Sequence, residues 1–199
     1  MAAEKLDTET RREQIAQAAL EMLGTHSVQE LSMADIARRV GIVPSAIYRH
    51  FSGKEEVLDA VVDLIRRRLL DNVQQVRQEG RSHLETLHRL VMRHVELVRK
   101  NQAIPRIMLS AEITSGSTAR KQKGYELISA YLDQVIAIIR TGQQQGEIRT
   151  DVKAETVAIQ MLGIVQPGAV LWQLSDGRFD VTRHARRAWQ LLEAAIRIS

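Results

Sequence analysis

Apolar residues along this 199-residue chain recur every three or four positions, and helix breakers are too scarce to interrupt them: Pro occurs 3 times and Gly 11 times. That spacing places apolar side chains on one face of a helix turning every 3.6 residues or so. Alternating β-branched or aromatic runs, which mark strands, are few. The expected fold class is all-α, with about nine helices. A hydrophobic content of 44% is ample to build the core of one or two domains.

The pattern predicts helices over residues 10–23, 32–40, 44–51, 54–78, 82–100, 103–111, 119–145, 151–174 and 181–198. Residues 1–9 read as a short disordered arm and 114–118 as a loop. Several boundaries carry a chemical signal. Ser32 stands three residues ahead of Asp35, and Ser82 three ahead of Glu85; each pair matches a capping box, in which side chains satisfy the orphan N–H groups of a helix start. Gly41 suits a helix end that needs the left-handed conformation. Pro44, with fixed φ and no N–H, suits a first helical turn.

Residues 31–54 read LSMADIARRVGIVPSAIYRHFSGK. Two short helices separated by a turn of three or four residues fit a helix-turn-helix. Ala37 is small where two helix axes would approach, Gly41 lies in the turn, and Ile47 is an apolar anchor beneath the second helix. Ile36, Val40 and Ile42 are expected to complete a small core with Ile15 and Ala19. Ser45, Ala46, Tyr48, Arg49 and His50 are left for the opposite face, where a DNA major groove, wide enough for one helix, would meet them. Lys54, at the next helix start, is placed for a phosphate. Net charge does not carry this reading. The chain is +4 overall, but residues 1–55 hold 7 Lys/Arg against 8 Asp/Glu.

Ile36-Ala37, Gly41, Ile47-Tyr48-Arg49-His50-Phe51 and Lys54 resemble the signature of the tetracycline-repressor (TetR) family of regulators, over about residues 10–62. The resemblance implies an N-terminal three-helix DNA-binding domain over residues 1–53. It also implies an orthogonal helical bundle over 54–199 that binds an effector and dimerises through its last two long helices. It implies that Ser32, Pro44, Ser45, Ala46, Tyr48, Arg49, His50 and Lys54 line double-stranded DNA, with Tyr48 and His50 serving phosphates more than bases. Arg49, with a two-pronged donor, is the candidate to read guanine. Two residues depart from the family pattern: Ser27 stands where a Gly usually precedes the second helix, and Val43 where a Ser or Thr usually caps the recognition helix.

In the second half, Leu162, Val165, Val170 and Trp172 on one helix and Trp189, Leu192 and Ile196 on the last supply apolar stripes, either for a homodimer interface or for the core. Gly163, Gly168 and Ala169 remove bulk where helices pack closely. Pro167 should kink its helix, opening a pocket or merely accommodating packing. Leu90, His94, Met108, Tyr125, Met161 and Gln166 are the candidate effector contacts, each of them also readable as core.

Other classes are weaker. With no Cys there are no disulfides or thiolate metal sites, which suits a reducing cytoplasm. His83, His88 and His94 are not spaced on adjacent turns, so neither a metal nor another cofactor is expected. No Gly-rich phosphate loop, G-x-S-x-G or H-E-x-x-H is present, which argues against an enzyme. The N-terminus lacks the apolar core of a secretory signal. Residues 156–174 approach the length of a membrane span, but Gln160, Gln166, Pro167, Gly168 and Gln173 favour a buried soluble helix. Arg66-Arg67-Arg68 reads as a solvated helix face rather than a membrane contact. The reading is a ligand-responsive, DNA-binding repressor, with a helical protein–protein adaptor as its rival.

Overall fold

The computed structural model describes residues 7–108, 110–114 and 117–198, which form nine α-helices and one 3₁₀ helix. The helices are α1 (Thr8–Met22), α2 (Met33–Val40), α3 (Lys54–Gln78), α4 (His83–Lys100), α5 (Ala103–Met108), α6 (Ala111–Thr114), α7 (Thr118–Gln144), α8 (Ala154–Leu174) and α9 (Val181–Ile196), with the 3₁₀ helix at Pro44–Arg49. Residues 1–6 of the expected arm lie outside the described residues, and Thr8 and Glu9 already belong to α1. Of the loop expected over 114–118, residues 115 and 116 also lie outside them, Thr114 closes α6 and Thr118 opens α7.

The chain divides into two compact units. The first comprises the chain through Arg67 together with Arg106–Leu127. Ile15, Ala19, Ile36, Ala37, Ile47, Phe51, Val57 and Val61 form its core and are almost entirely removed from solvent. Val40 and Ile42, expected in that core, are half-buried at its edge. Sequence reading ended this domain at residue 53; in the structure it reaches further and takes in a later segment. Polar contacts explain the capture. Arg106 Nη1 donates to the Gly24 carbonyl at 2.7 Å. The buried Arg120 pairs with Glu55 at 2.6 Å and Asp59 at 3.0 Å, and Lys123 with Asp63 at 2.7 Å. Glu55, Asp59 and Asp63 recur every four residues, on one face of α3.

The second unit holds Arg68–Pro105 and the chain from Ile128 onward. In it α8 packs on α9 and α4, and α4 on α9, around Leu87, Leu90, Val91, Ile139, Ile148 and Trp189. The capping box at Ser82 forms as expected, its hydroxyl oxygen accepting from the Glu85 N–H. Helix α8 starts at Ala154 instead of 151, because Gln143 Nε2 donates to the carbonyls of Arg149 and Val152 and holds that stretch as a loop. Gly168 allows the closest approach of α8 to α9: a side-chain carbon there would lie 2.9 Å from His184 Cδ2 and 3.1 Å from Val181 Cγ2. Gly163, grouped with it on sequence, has open space beside it. Pro167 is exposed and turned away from the interior. Helix α8 is long and apolar enough to cross a membrane, yet Ala154, Val157, Ala158, Met161, Ile164, Val165, Gly168 and Ala169 form its buried side within this unit. The single stretch expected at 103–111 is instead two short helices, α5 and α6. Ser110 Oγ donates to the Ile107 carbonyl at 2.8 Å, one of the local bonds by which serine competes with helix continuation.

Candidate functional site

Helix α2 is held at both ends by the residues the sequence singles out. Ser32 Oγ accepts from the Asp35 N–H at 3.1 Å and donates to Asp35 Oδ2 at 2.6 Å. That hydroxyl, helped by nearby Arg38, holds the Asp35 carboxyl below its ordinary range. At the other end Gly41 has φ 81°, and the Ile42 N–H returns to the Ala37 carbonyl at 3.0 Å, closing the helix in the left-handed manner that glycine adopts most cheaply. Ser27, the first departure from the family pattern, closes its own turn by donating through N–H and Oγ to Glu30 at 2.7 and 3.0 Å.

The segment that follows is the candidate recognition element. It is a 3₁₀ helix over Pro44–Arg49 where a longer helix is expected. Val43 brings no side-chain cap, as its departure from the pattern anticipates, and the bonds are of the i to i+3 kind: Ala46 N–H to Val43 at 2.9 Å and His50 N–H to Ile47 at 3.0 Å. Ile47 is fully buried and anchors the element. Tyr48 (58% exposed) and Val43 (64% exposed) face outward, with Pro44, Ser45 and Arg49, while Ala46, His50 and Ser32 are half-buried. Nearby cations are neutralised: Arg38 by Asp35, and Arg39 by Glu21 at 2.7 Å. Arg49 has no ion pair among the described residues.

Two more residues belong to this region, Val43, noted in the sequence only for its missing cap, and Arg12, which was missed there. Val43 is a large apolar side chain open to solvent at the start of the element. Arg12 supports the element from below: it donates to the His50 carbonyl, pairs with Glu56 at 2.8 Å, and lies 4.1 Å from the centre of the Phe51 ring. Glu56 also accepts from the Ser52 N–H at 2.8 Å and hydroxyl at 3.0 Å. The Ser52 backbone bond, then Arg12, bring its carboxyl down to about 2. Nothing in residues 10–14 taken alone marks Arg12, since the signal is a carboxylate 44 residues away.

Lys54 has a different position from that expected. Its Nζ donates to the carbonyls of Val28 and Gln29 at 3.1 and 3.3 Å, so two of its three protons tie the α1–α2 connection to α3 instead of facing a phosphate.

The six candidate effector residues separate. Leu90, His94, Met161 and Gln166 belong to the second unit, where the first three are buried and Gln166 is half-buried. Met108 and Tyr125 belong to the first, and Tyr125 is 67% exposed. Their helices were expected to face one another; the segment from Arg106 to Leu127, which holds Met108 and Tyr125, belongs to the first unit. His94 is the unusual member of the set. Its ring meets the edge of Tyr131 with centroids 5.4 Å apart, and burial brings its pKa down to about 4.

The candidate interface residues separate too. Trp189, Val165 and Ile196 are buried within their own bundle; Trp189 stacks on His88 and donates from Nε1 to Glu193 at 2.8 Å. They therefore act as core, not as surface. Leu162, Val170, Trp172 and Leu192 are half-buried. The apolar side chains that do face outward are Ile159, Leu171 and Leu174 on α8 and Leu191 on α9. An amphipathic period locates an apolar stripe without distinguishing a flank that meets the core from one left open. Of the other histidines, His83 bonds Glu147 through Nδ1 at 3.0 Å. Among the described residues no group of three His, Cys, Asp or Glu is placed to hold a metal.

Residues 15–61 match the tetR family of bacterial regulatory proteins, and residues 63–195 match the C-terminal region of YsiA-like proteins. The chain belongs to the tetR family. It is accordingly an all-helical bacterial regulatory protein with its DNA-binding helix-turn-helix at α2 and the 3₁₀ helix. The nucleoid occlusion factor SlmA of Vibrio vulnificus is 24% identical over 188 residues, covering 94% of this chain and 96% of that one. The fatty acid degradation regulator FadR of Bacillus halodurans shares the fold with a TM-score of 0.79 at 22% identity, covering 95% of this chain and 96% of its own. FadR of Bacillus subtilis, solved with stearoyl-CoA, gives 0.77 at 20% identity over 92% and 98%.

Proposed function

We propose that this regulator binds a pseudo-palindromic operator as a cytoplasmic homodimer and leaves it when a long-chain acyl thioester binds the second unit. The DNA reading rests on one observation above the others: Ile47 is fully buried while Tyr48 and Arg49 face outward, Arg49 without an ion pair among the described residues. Arg49 reads a base edge, Val43 lies against it, and Tyr48 contacts phosphate. His50 adds little on its Nδ1 side, since that nitrogen is buried without a partner.

An apolar core and one structural likeness support the effector class. The interior of the second unit is apolar, as an acyl chain requires, and the likeness to FadR bound to stearoyl-CoA supports the same class here. A surface groove of about 370 Å³ beside α4, lined by Arg89, Arg93, Glu96 and Arg99 with Thr182 of α9, offers guanidinium groups for a phosphorylated head, although Glu79 already engages Arg89 and Arg93 and Glu96 adds a negative charge. The homodimer is formed by α8 and α9 through Ile159, Leu171, Leu174 and Leu191, with the open side of Gly163 admitting close approach. A two-fold axis there matches the symmetry of an inverted repeat. Ligand binding then changes the spacing of the two recognition elements, which requires the ligand to favour the non-binding state energetically.

Selection of bound sequences from random DNA tests the DNA half. The expected outcome is an inverted repeat with half-site centres about 34–36 Å apart and an affinity that falls as salt rises. Enrichment of unpaired sites, or of none, would overturn it. Arg49→Ala is expected to cost about 1–3 kcal/mol and relax the preference at one base pair; an equal loss on all sequences would reassign Arg49 to phosphate. Added oleoyl-CoA should release the operator, measured by fluorescence anisotropy.

A further inference from the structure

Helix α4 turns Leu87, Leu90, Val91, His94, Val95 and Val98 into the second unit. His94 is the member with no apolar role. It is 4% exposed, and its Nδ1 has no hydrogen-bond partner. Apart from Tyr131, the buried polar or charged side chains among the described residues of this unit are Thr86 and His94. Thr86 is satisfied, its hydroxyl donating to the Ser82 carbonyl at 2.9 Å. The one other buried orphan atom there, Glu79 Oε2, faces the guanidinium of Arg89. A phenylalanine or leucine would fill the volume of His94 without leaving a nitrogen unpaired, so packing alone does not account for an imidazole here.

The chemistry of the pair is specific. Burial lowers the His94 pKa to about 4 and raises that of the Tyr131 hydroxyl, so both side chains are neutral at physiological pH. A neutral imidazole and a neutral phenol offer hydrogen bonds and no charge. Resting on the effector reading above, we propose that His94 of α4, with Tyr131 of α7 against its ring, is the polar subsite of the effector-binding interior and holds an uncharged oxygen, a carbonyl or hydroxyl, of an otherwise apolar ligand. The same surroundings exclude a carboxylate. No buried cation stands among the described residues of this unit to pair with it, and an unpaired charge in such an interior is far more costly than an unpaired dipole. The interior therefore takes esters and thioesters and refuses the free acid.

Titration of the full chain with oleoyl-CoA, methyl oleate and oleate at pH 7.5, read by tryptophan fluorescence through Trp189 and Trp172, tests this. Oleoyl-CoA and methyl oleate are expected to bind, and oleate at least about tenfold more weakly. His94→Phe and Tyr131→Phe keep the volume; each should weaken methyl oleate about five- to tenfold while leaving operator affinity and the urea midpoint no lower than in the parent protein. Two results would overturn the proposal: unchanged methyl oleate binding in both variants, or oleate binding as tightly as its ester. Methyl oleate binding that depends on His94, with no binding of oleoyl-CoA, would uphold this subsite and remove the thioester reading. Failure of all three probes on the parent protein would remove both.

Discussion

Ser32 does two things at one helix start, accepting from the Asp35 N–H and donating to its carboxylate. Ser32→Ala should therefore cost about 1 kcal/mol of stability, seen as a lower urea midpoint with an unchanged slope. His94 makes a prediction of opposite chemistry. Its pKa is about 4 when folded against an ordinary 6.5, so from pH 6.5 down to 4 the unfolded chain takes up a proton that the native state refuses. Stability should fall across that window by up to about 3 kcal/mol, with no contribution from this group above it. His94→Phe should remove that part of the acid sensitivity, as followed by urea denaturation at several pH values. At this scale the sequence is informative where a residue acts on near neighbours. Ser32, Gly41 and Ile47 do what their local context demands. Lys54 does not, because the carbonyls it bonds belong to Val28 and Gln29, which only the folded chain brings within reach.

At the scale of elements, the long helices are legible from their apolar period, and α3 and α4 agree with the expected bounds within a residue. The departures fall where a single polar contact outweighs periodicity: Gln143 holding the loop ahead of α8, and Ser110 bonding Ile107 between α5 and α6. The pairing of α7 with α3 was not legible, since Arg120 and Lys123 read as ordinary exposed cations until their acids are in place. Arg120 lies 6% exposed between partners that remain largely wet. Arg120→Met keeps the buried stem and should cost about 1 kcal/mol or less, shrinking further in 0.5 M NaCl. Arg120→Ala should cost more, because it also loses the packing of the stem, and that excess should not respond to salt. Equal losses in both variants would assign the whole effect to charge.

For the whole molecule, the dimer proposed above makes the sharpest demand. Leu191 is 77% exposed in the single chain, a large apolar surface with no internal use. Burying a leucine side chain is worth about 1.5–3 kcal/mol, and two-fold symmetry counts it twice. Leu191→Glu should therefore raise the dimer dissociation constant about a hundredfold or more, read by analytical ultracentrifugation, and weaken operator binding in parallel. The variant should unfold at the same urea concentration as the parent when both are monomeric. A dimer that survives the change would place the interface elsewhere.

The segment from Arg106 to Leu127 carries a practical consequence. Arg106, Arg120 and Lys123 in it are anchored to α3 and to the bend after α1, so the first unit is assembled from two stretches of chain separated by nearly forty residues. Exchanging specificity between this regulator and another by a single splice near residue 67 would separate Glu55, Asp59 and Asp63 from Arg120 and Lys123 and pair each acidic ladder with foreign charges. A working chimera has to transplant both stretches together.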